Sequence, residues 1–143
     1  MLHYYVNEAA FALPARPFVD RTLQRLTAPL AGSEEQLTLE IRRLPMVPDK
    51  SLRQRVEEEL ATARTKEDGF TVVETVEAVL DTAPALLLRT RRRKDDAVWL
   101  RLEAHVAFNG MWLSFVVSGP SSHRAQCEQT FDRLINGLRW RKA

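Results

Sequence analysis

Cysteine is almost missing from this chain: Cys127 is the one thiol among 143 residues. No disulfide can close within the chain, so a disulfide scaffold is excluded and a reducing compartment is expected. Glycine is sparse and spread out. Gly32, Gly69, Gly110, Gly119 and Gly137 are never closer than nine residues apart. Loops that cradle phosphate need closely spaced glycines so that the backbone can approach the anion, so Rossmann and P-loop readings fall away. No apolar run reaches the roughly 18 residues that a membrane-spanning helix takes. Met1-Leu2-His3-Tyr4-Tyr5-Val6-Asn7 has neither a charged n-region nor an apolar h-region and is not expected to act as a secretory signal. What is there is ordinary: 45% hydrophobic and 28% charged residues, the balance of a globular domain rather than of collagen or a disordered tail. The length suits one domain over residues 1–143. A single cytoplasmic domain without stable membrane association is the expectation.

Charge of one sign is also scarce overall, with a net value of +2, but it is unevenly spread. Residues 49–83 carry five basic and nine acidic side chains, and residues 84–143 carry eleven basic and five acidic. A basic half can attract nucleic acid. The one dense run, Arg89 and Arg91-Arg92-Arg93-Lys94, lacks interleaved aromatics and stops at Asp95-Asp96. Single-strand binders stack bases on aromatics, so this run reads as a solvated hairpin end and no nucleic-acid partner is expected.

Hydrophobic periodicity supplies the elements. Tyr4–Val6 and Ala10–Leu13 are short strand candidates. Val19–Thr27 alternates weakly, with Arg21, Leu23 and Arg25 on one face and Thr22, Gln24 and Leu26 on the other. Leu37, Leu39 and Ile41 alternate clearly with polar residues. After Pro45 and Pro48, Asp49 or Ser51 can cap a helix whose stripe is Leu52, Val56, Leu60 and Ala63. Gly69 stops it. Phe70–Leu80, Ala85–Arg92, Val98–Phe108 and Met111–Ser118 follow as strands joined by turn-like pieces. Asn109-Gly110 is the strongest hairpin signal among them. Ser121 or Ser122 can cap a second helix with the stripe Cys127, Phe131, Leu134 and Ile135, closed by Asn136-Gly137. Leu138-Arg139-Trp140 is expected to return to the sheet. The order predicts an α+β fold with an antiparallel sheet of about seven to eight strands and two main helices.

Catalytic chemistry finds little support. His123 and Cys127 are spaced to share a helix face, as a nucleophile–base pair or two metal ligands would be. Cys127 lies in the apolar stripe, however, and no third ligand stands at zinc spacing. Glu103 and His105 share one strand face; without another catalytic group they read as a polar, half-solvated face. Glu57-Glu58-Glu59 belongs to a helix-surface charge lattice and Asp95-Asp96 to a turn, unlike the facing carboxylates of a hydrolase. No G-x-S-x-G surrounds any serine. No catalytic residue, cofactor or metal site is expected. Apolar residues do occupy both faces of several strands, with Leu100, Leu102, Val106 and Phe108 on one side and Trp99 and Ala107 on the other. Two one-striped helices leave part of such a sheet uncovered, so a second copy of the chain or a partner's hydrophobic segment is expected to cover it.

Tyr4, Asn7-Glu8, Phe11-Ala12-Leu13-Pro14, Asp20-Arg21-Thr22 and Leu39-Glu40-Ile41-Arg42-Arg43, in that order, resemble the opening of the DcrB-like family. The later strand block and the closing helix with Leu138-Arg139-Trp140 extend the resemblance over essentially the whole chain. It implies a PsbP-like α/β/α sandwich. It further implies similarity to the Eag chaperones of type VI secretion, homodimers that hold the N-terminal transmembrane helices of effectors before loading on the secretion spike. Such a chaperone needs an apolar groove and no chemistry, and small-residue helix faces pack closely within it. Carried onto this sequence, the groove comprises Leu23, Arg25, Leu39, Ile41, Leu100 and Leu102. Arg25 departs from the aliphatic residue of such chaperones, and Leu102 from their common Gln. The alternative is a non-enzymatic homodimeric interaction module of the same fold with no hydrophobic client.

Overall fold

The computed structural model describes residues 23–140 together with strands β1 (His3–Tyr5) and β2 (Ala10–Ala12). The other elements are β3 (Leu23–Pro29), β4 (Gln36–Pro45), α1 (Leu52–Lys66), β5 (Thr71–Leu80), β6 (Ala83–Lys94), β7 (Ala97–Phe108), β8 (Met111–Pro120) and α2 (Arg124–Gly137). Six strands form one antiparallel sheet in the order β3-β4-β8-β7-β6-β5. Among the described residues, β1 and β2 pair with each other, as a two-stranded sheet. The expected seven to eight strands therefore exist, but the main sheet has six. The two extra strands have only three residues each and spend their hydrogen bonds on one another. The other expectations on residues 1–22, Arg21 and Thr22 among them, lie outside the described residues.

The meander β5-β6-β7-β8 is made by three two-residue turns. Asp81-Thr82, Asp95-Asp96 and Asn109-Gly110 all have positive φ at both positions. That matches the right-handed twist of the flanking strands, which a common type I turn would splay. Aspartate and asparagine tolerate this region; Thr82, β-branched at φ 77°, does not do so readily. Trp140 buttresses that turn from the C-terminal tail. Its backbone N–H donates to Asp81 Oδ2 at 2.8 Å and its indole N–H to the Leu80 carbonyl at 2.9 Å. The ring stacks on Phe108 with centroids 4.3 Å apart. The tail thus returns to the sheet as its sequence suggests.

Each helix covers one face of the sheet. Ser51 caps α1 in a capping box: its hydroxyl accepts from the Gln54 N–H at 3.2 Å, and its own N–H donates to Gln54 Oε1 at 2.8 Å. The stripe of α1 buries Val56, with Leu52 and Leu60, against Leu86, Leu88 and Trp112. On the opposite face α2 packs Cys127 and Phe131 on Leu100, Leu102, Ala104, Val106 and Val117. The chain enters α2 through a 3-10 turn at Ser121–His123, and no side chain caps the helix, neither Ser121 nor Ser122. Gly137 ends α2 in helical conformation rather than as a left-handed cap. Gly119 is needed for proximity. A Cβ there would stand 2.7 Å from Cys127 Sγ, so its absence sets how closely α2 approaches β8.

Candidate functional site

Beneath α1, the middle of the sheet is polar. Cross-strand register aligns Ser114 with His105 and Thr90 with Arg101, and places Glu103 between Val116 and Leu88. Glu103 and His105 are 6% and 1% exposed. The half-solvated face expected for them is instead interior, because α1 lies across it. His105 is held at both ring nitrogens. Trp112 Nε1 donates to Nδ1 at 3.0 Å. An indole N–H can only donate, so Nδ1 is the acceptor and the ring proton sits on Nε2, 2.9 Å from Glu103 Oε1. Ser114 Oγ lies 3.1 Å from Nδ1, and the Thr90 hydroxyl donates to Glu103 Oε2 at 3.3 Å. Burial pushes the Glu103 carboxyl up, but the His105 hydrogen bond and the Arg101 and Arg92 charges outweigh it and hold it below the usual carboxylate range.

Carboxylate, imidazole and hydroxyl stand here in the order of an acyl-transfer triad. Ser114, however, is buried and does not line the adjoining cleft, and Nδ1 is shared with the indole. The row fixes protons inside the sheet; it does not present a nucleophile.

The cleft itself, about 670 Å³, opens between α1 and β4, β8, β7 and β6. Its floor holds Trp112, His105, Glu103, Arg101 and Arg92, and its wall is α1. Arg42 bridges to Glu59 at 2.5 Å, and Arg92 pairs with Glu67. Arg55 and Arg42 lie over Trp112, 4.9 and 5.2 Å from its centroid, and Arg92 over Phe70 at 5.3 Å. The basic run is therefore not simply solvated. Alternate residues go to opposite faces, so Arg92 enters the cleft, while Arg89 crosses to α2 and pairs with Glu128. The signal that could have found the cleft is a second stripe on α1. Arg55, Glu59, Thr62 and Lys66 recur at helical spacing beside the apolar stripe, a polar face matching a polar strand face.

The six groove residues do not share one surface. Leu23 pairs with Arg42 and Arg25 with Glu40, which puts both on the α1 face; Arg25 bridges to Glu40 at 3.0 Å. Leu39 pairs with Val117 and Ile41 with Phe115, which puts them on the α2 face with Leu100 and Leu102. Leu100 and Leu102 are core residues, buried with Cys127 and Phe131. Leu26 is the β3 residue that joins Leu39 on the α2 face. An apolar row Leu26–Leu39–Val117–Leu102 thus crosses four strands, from the 57% exposed Leu26 at the sheet edge to the interior. The surplus apolar surface is narrower than expected, since α1 covers Leu86, Leu88 and Trp112 and polar residues occupy the centre of that face.

Cys127 and His123 are not paired. His123 lies in the 3-10 turn, its Nε2 3.1 Å from the Ala31 carbonyl. Burial, followed by the Glu128 charge, pushes the Cys127 thiol up, the behaviour of an inert core thiol. Among the described residues no cluster of His, Cys, Asp and Glu could hold a metal ion.

Comparison with known proteins adds the family. The DcrB family model matches residues 8–137. The chain belongs to the DcrB family. This DcrB-family protein is similar in structure to PA94 from Pseudomonas aeruginosa, a protein of unknown function described as a candidate regulator, with 16% identity, TM-score 0.86 and coverage of 100% of this chain and 99% of that one. It is also similar to cyanobacterial PsbP from Synechocystis, with 13% identity, TM-score 0.56 and 85% and 94% coverage. LpqN of Mycobacterium tuberculosis, involved in cell envelope biogenesis, follows with 11% identity, TM-score 0.60 and 85% and 84% coverage. These likenesses establish a PsbP-like fold for the DcrB-family chain. No curated protein matches it in sequence.

Proposed function

We propose that this DcrB-family protein is a cytoplasmic, homodimeric chaperone of type VI secretion effectors that binds and shields their N-terminal transmembrane helices. The observation that carries the reading is the apolar row Leu26–Leu39–Val117–Leu102, which leaves the α2 core and runs out to an edge strand whose seven residues are all exposed. A helix needs an apolar strip of about this kind to leave water, and no covalent chemistry. Family membership and the absence of a presented nucleophile in the buried row agree with a binding role. Among the described residues no helix is long and apolar enough to cross a membrane. In this reading the groove comprises Leu26, Leu39 and Ile41, with Leu100 and Leu102 beneath it.

Co-expression with an effector carrying apolar N-terminal helices tests this. The effector should be soluble and bound only when the protein is present. Leu26→Asp should release it while leaving the fold unchanged, since Leu26 is at the surface. An effector that stays soluble without the protein, or binds Leu26→Asp equally well, would sink the proposal.

A further inference from the structure

We propose that the outer edge of β5 takes up an extended peptide as a further strand of the sheet, and that this peptide is basic with apolar residues at alternate positions. β5 closes the sheet at the end opposite β3, so this surface is independent of the apolar row. Among the described residues β5 pairs only with β6. The pairing slips once, between Val72 and Glu74, and the stretch from Glu74 to Leu80 then runs regularly. The outward N–H and C=O groups of such a stretch are a template for another strand.

Folded proteins blunt exposed edges with proline and with cationic side chains. β3, the other edge, carries Arg25 and ends on Pro29. β5 has no lysine, arginine or proline. It exposes Val73, Val76 and Val79 instead, at 50%, 42% and 69%. Val76 also lines a hollow of about 220 Å³ between β5 and α2, with Leu87, Phe131 and Ile135. An apolar side chain laid beside Val76 enters this hollow. Its neighbours along the peptide point to the other side of the sheet, which at β5 is the side of Glu77, paired with Leu86.

Charge selects the partner. From Glu67 to Asp81 the chain has five acidic residues and no basic one. The arginines that reach β5 from its neighbours are shared with other carboxylates. Arg53 bridges to Glu77 at 3.0 Å and also lies 3.7 Å from Glu57. Arg89 pairs with Glu128 and approaches Glu74 only to 3.9 Å. Asp132, at the rim of the hollow, has no ion pair among the described residues. Lysine or arginine on an added strand meets this surplus of negative charge, as opposite charges across a strand pair do. A second copy of β5 would bring Glu74 and Glu77 against the same residues with no cation on either strand, which like-charge pairing disfavours.

Fluorescence anisotropy of labelled peptides with the intact chain tests the edge. A peptide alternating lysine and valine should bind saturably at one per chain. A peptide alternating glutamate and valine should bind at least tenfold more weakly. So should a lysine–valine peptide with prolines at its two central positions, which lacks ladder N–H groups there. Glu74→Lys plus Glu77→Lys should reverse the preference toward the glutamate–valine peptide. Val76→Lys should weaken lysine–valine binding at least tenfold. All three positions are exposed, so circular dichroism should show the fold retained. Lack of saturable binding, equal binding of the glutamate or the proline peptide, or binding unchanged in both variants would overturn the proposal. So would sedimentation showing a dimer that Val76→Lys splits into monomers, which gives the edge to a second copy.

Discussion

At the scale of single residues, two buried arrangements decide most. Glu103 and His105 form a pair whose parts depend on each other. With His105→Leu, the Glu103 carboxylate and the Trp112 indole lose their partner at once. Breaking a buried pair from one side costs about 3–5 kcal/mol, so denaturant titration should show a loss in that range. The pair also fixes a pH dependence. The folded-state pKa of Glu103 lies below its unfolded value, so its contribution is present above the unfolded pKa, about 4.3. It is lost as pH falls through the folded pKa. Acid unfolding followed by circular dichroism should therefore begin below about pH 5. In Glu103→Gln, the pH-dependent share due to this group should vanish. The second arrangement is Gly119 against Cys127. Gly119→Ala overpacks that contact and should cost about 1–3 kcal/mol. Cys127→Ala should be tolerated better in the Gly119→Ala background than alone, a coupling that a double-mutant cycle reads directly.

At the scale of elements, sequence and structure agree where the cause is local. The α1 stripe and Asn109-Gly110 are local signals that form as read, and of the two cap candidates, Asp49 and Ser51, it is Ser51 that caps α1. The strained turn is local too. Thr82→Gly gives the Asp-Gly pair that a positive-φ turn prefers and should stabilise the chain by about 0.5–1 kcal/mol. Calorimetry should read this as a rise in Tm of about 2–4 °C. Disagreement begins where a side chain's face depends on another element. Period-2 alternation separates Leu23 and Arg25 from Leu26, but only the register against β4 shows which set joins Leu39. Glu103 and His105 alternate like any solvated strand face. Their burial comes from α1, which lies more than 30 residues earlier in the chain. The α2 cap fails for a similar reason: the chain leaves β8 into a 3-10 turn, and His123 reaches the Ala31 carbonyl instead.

At the scale of the whole molecule, two helices divide the sheet unequally. α1 closes over a polar centre and leaves a charged cleft; α2 closes over an apolar centre and leaves its apolar row open toward β3. One face is thus polar and charged at its centre, and the other is apolar out to its edge. The α+β class, the sandwich and the family were legible because they follow from element order and motif order. Of the six residues expected to line a groove, the strand register sets Leu23 and Arg25 on the α1 face, Leu39 and Ile41 on the α2 face, and Leu100 and Leu102 in the core. The most direct measurement is retention of an effector's apolar N-terminal helices by the purified complex, compared between the unaltered chain and Leu26→Asp plus Leu39→Asp. Retention by the first and loss by a folded double variant is the predicted result. Equal retention by both would contradict the account.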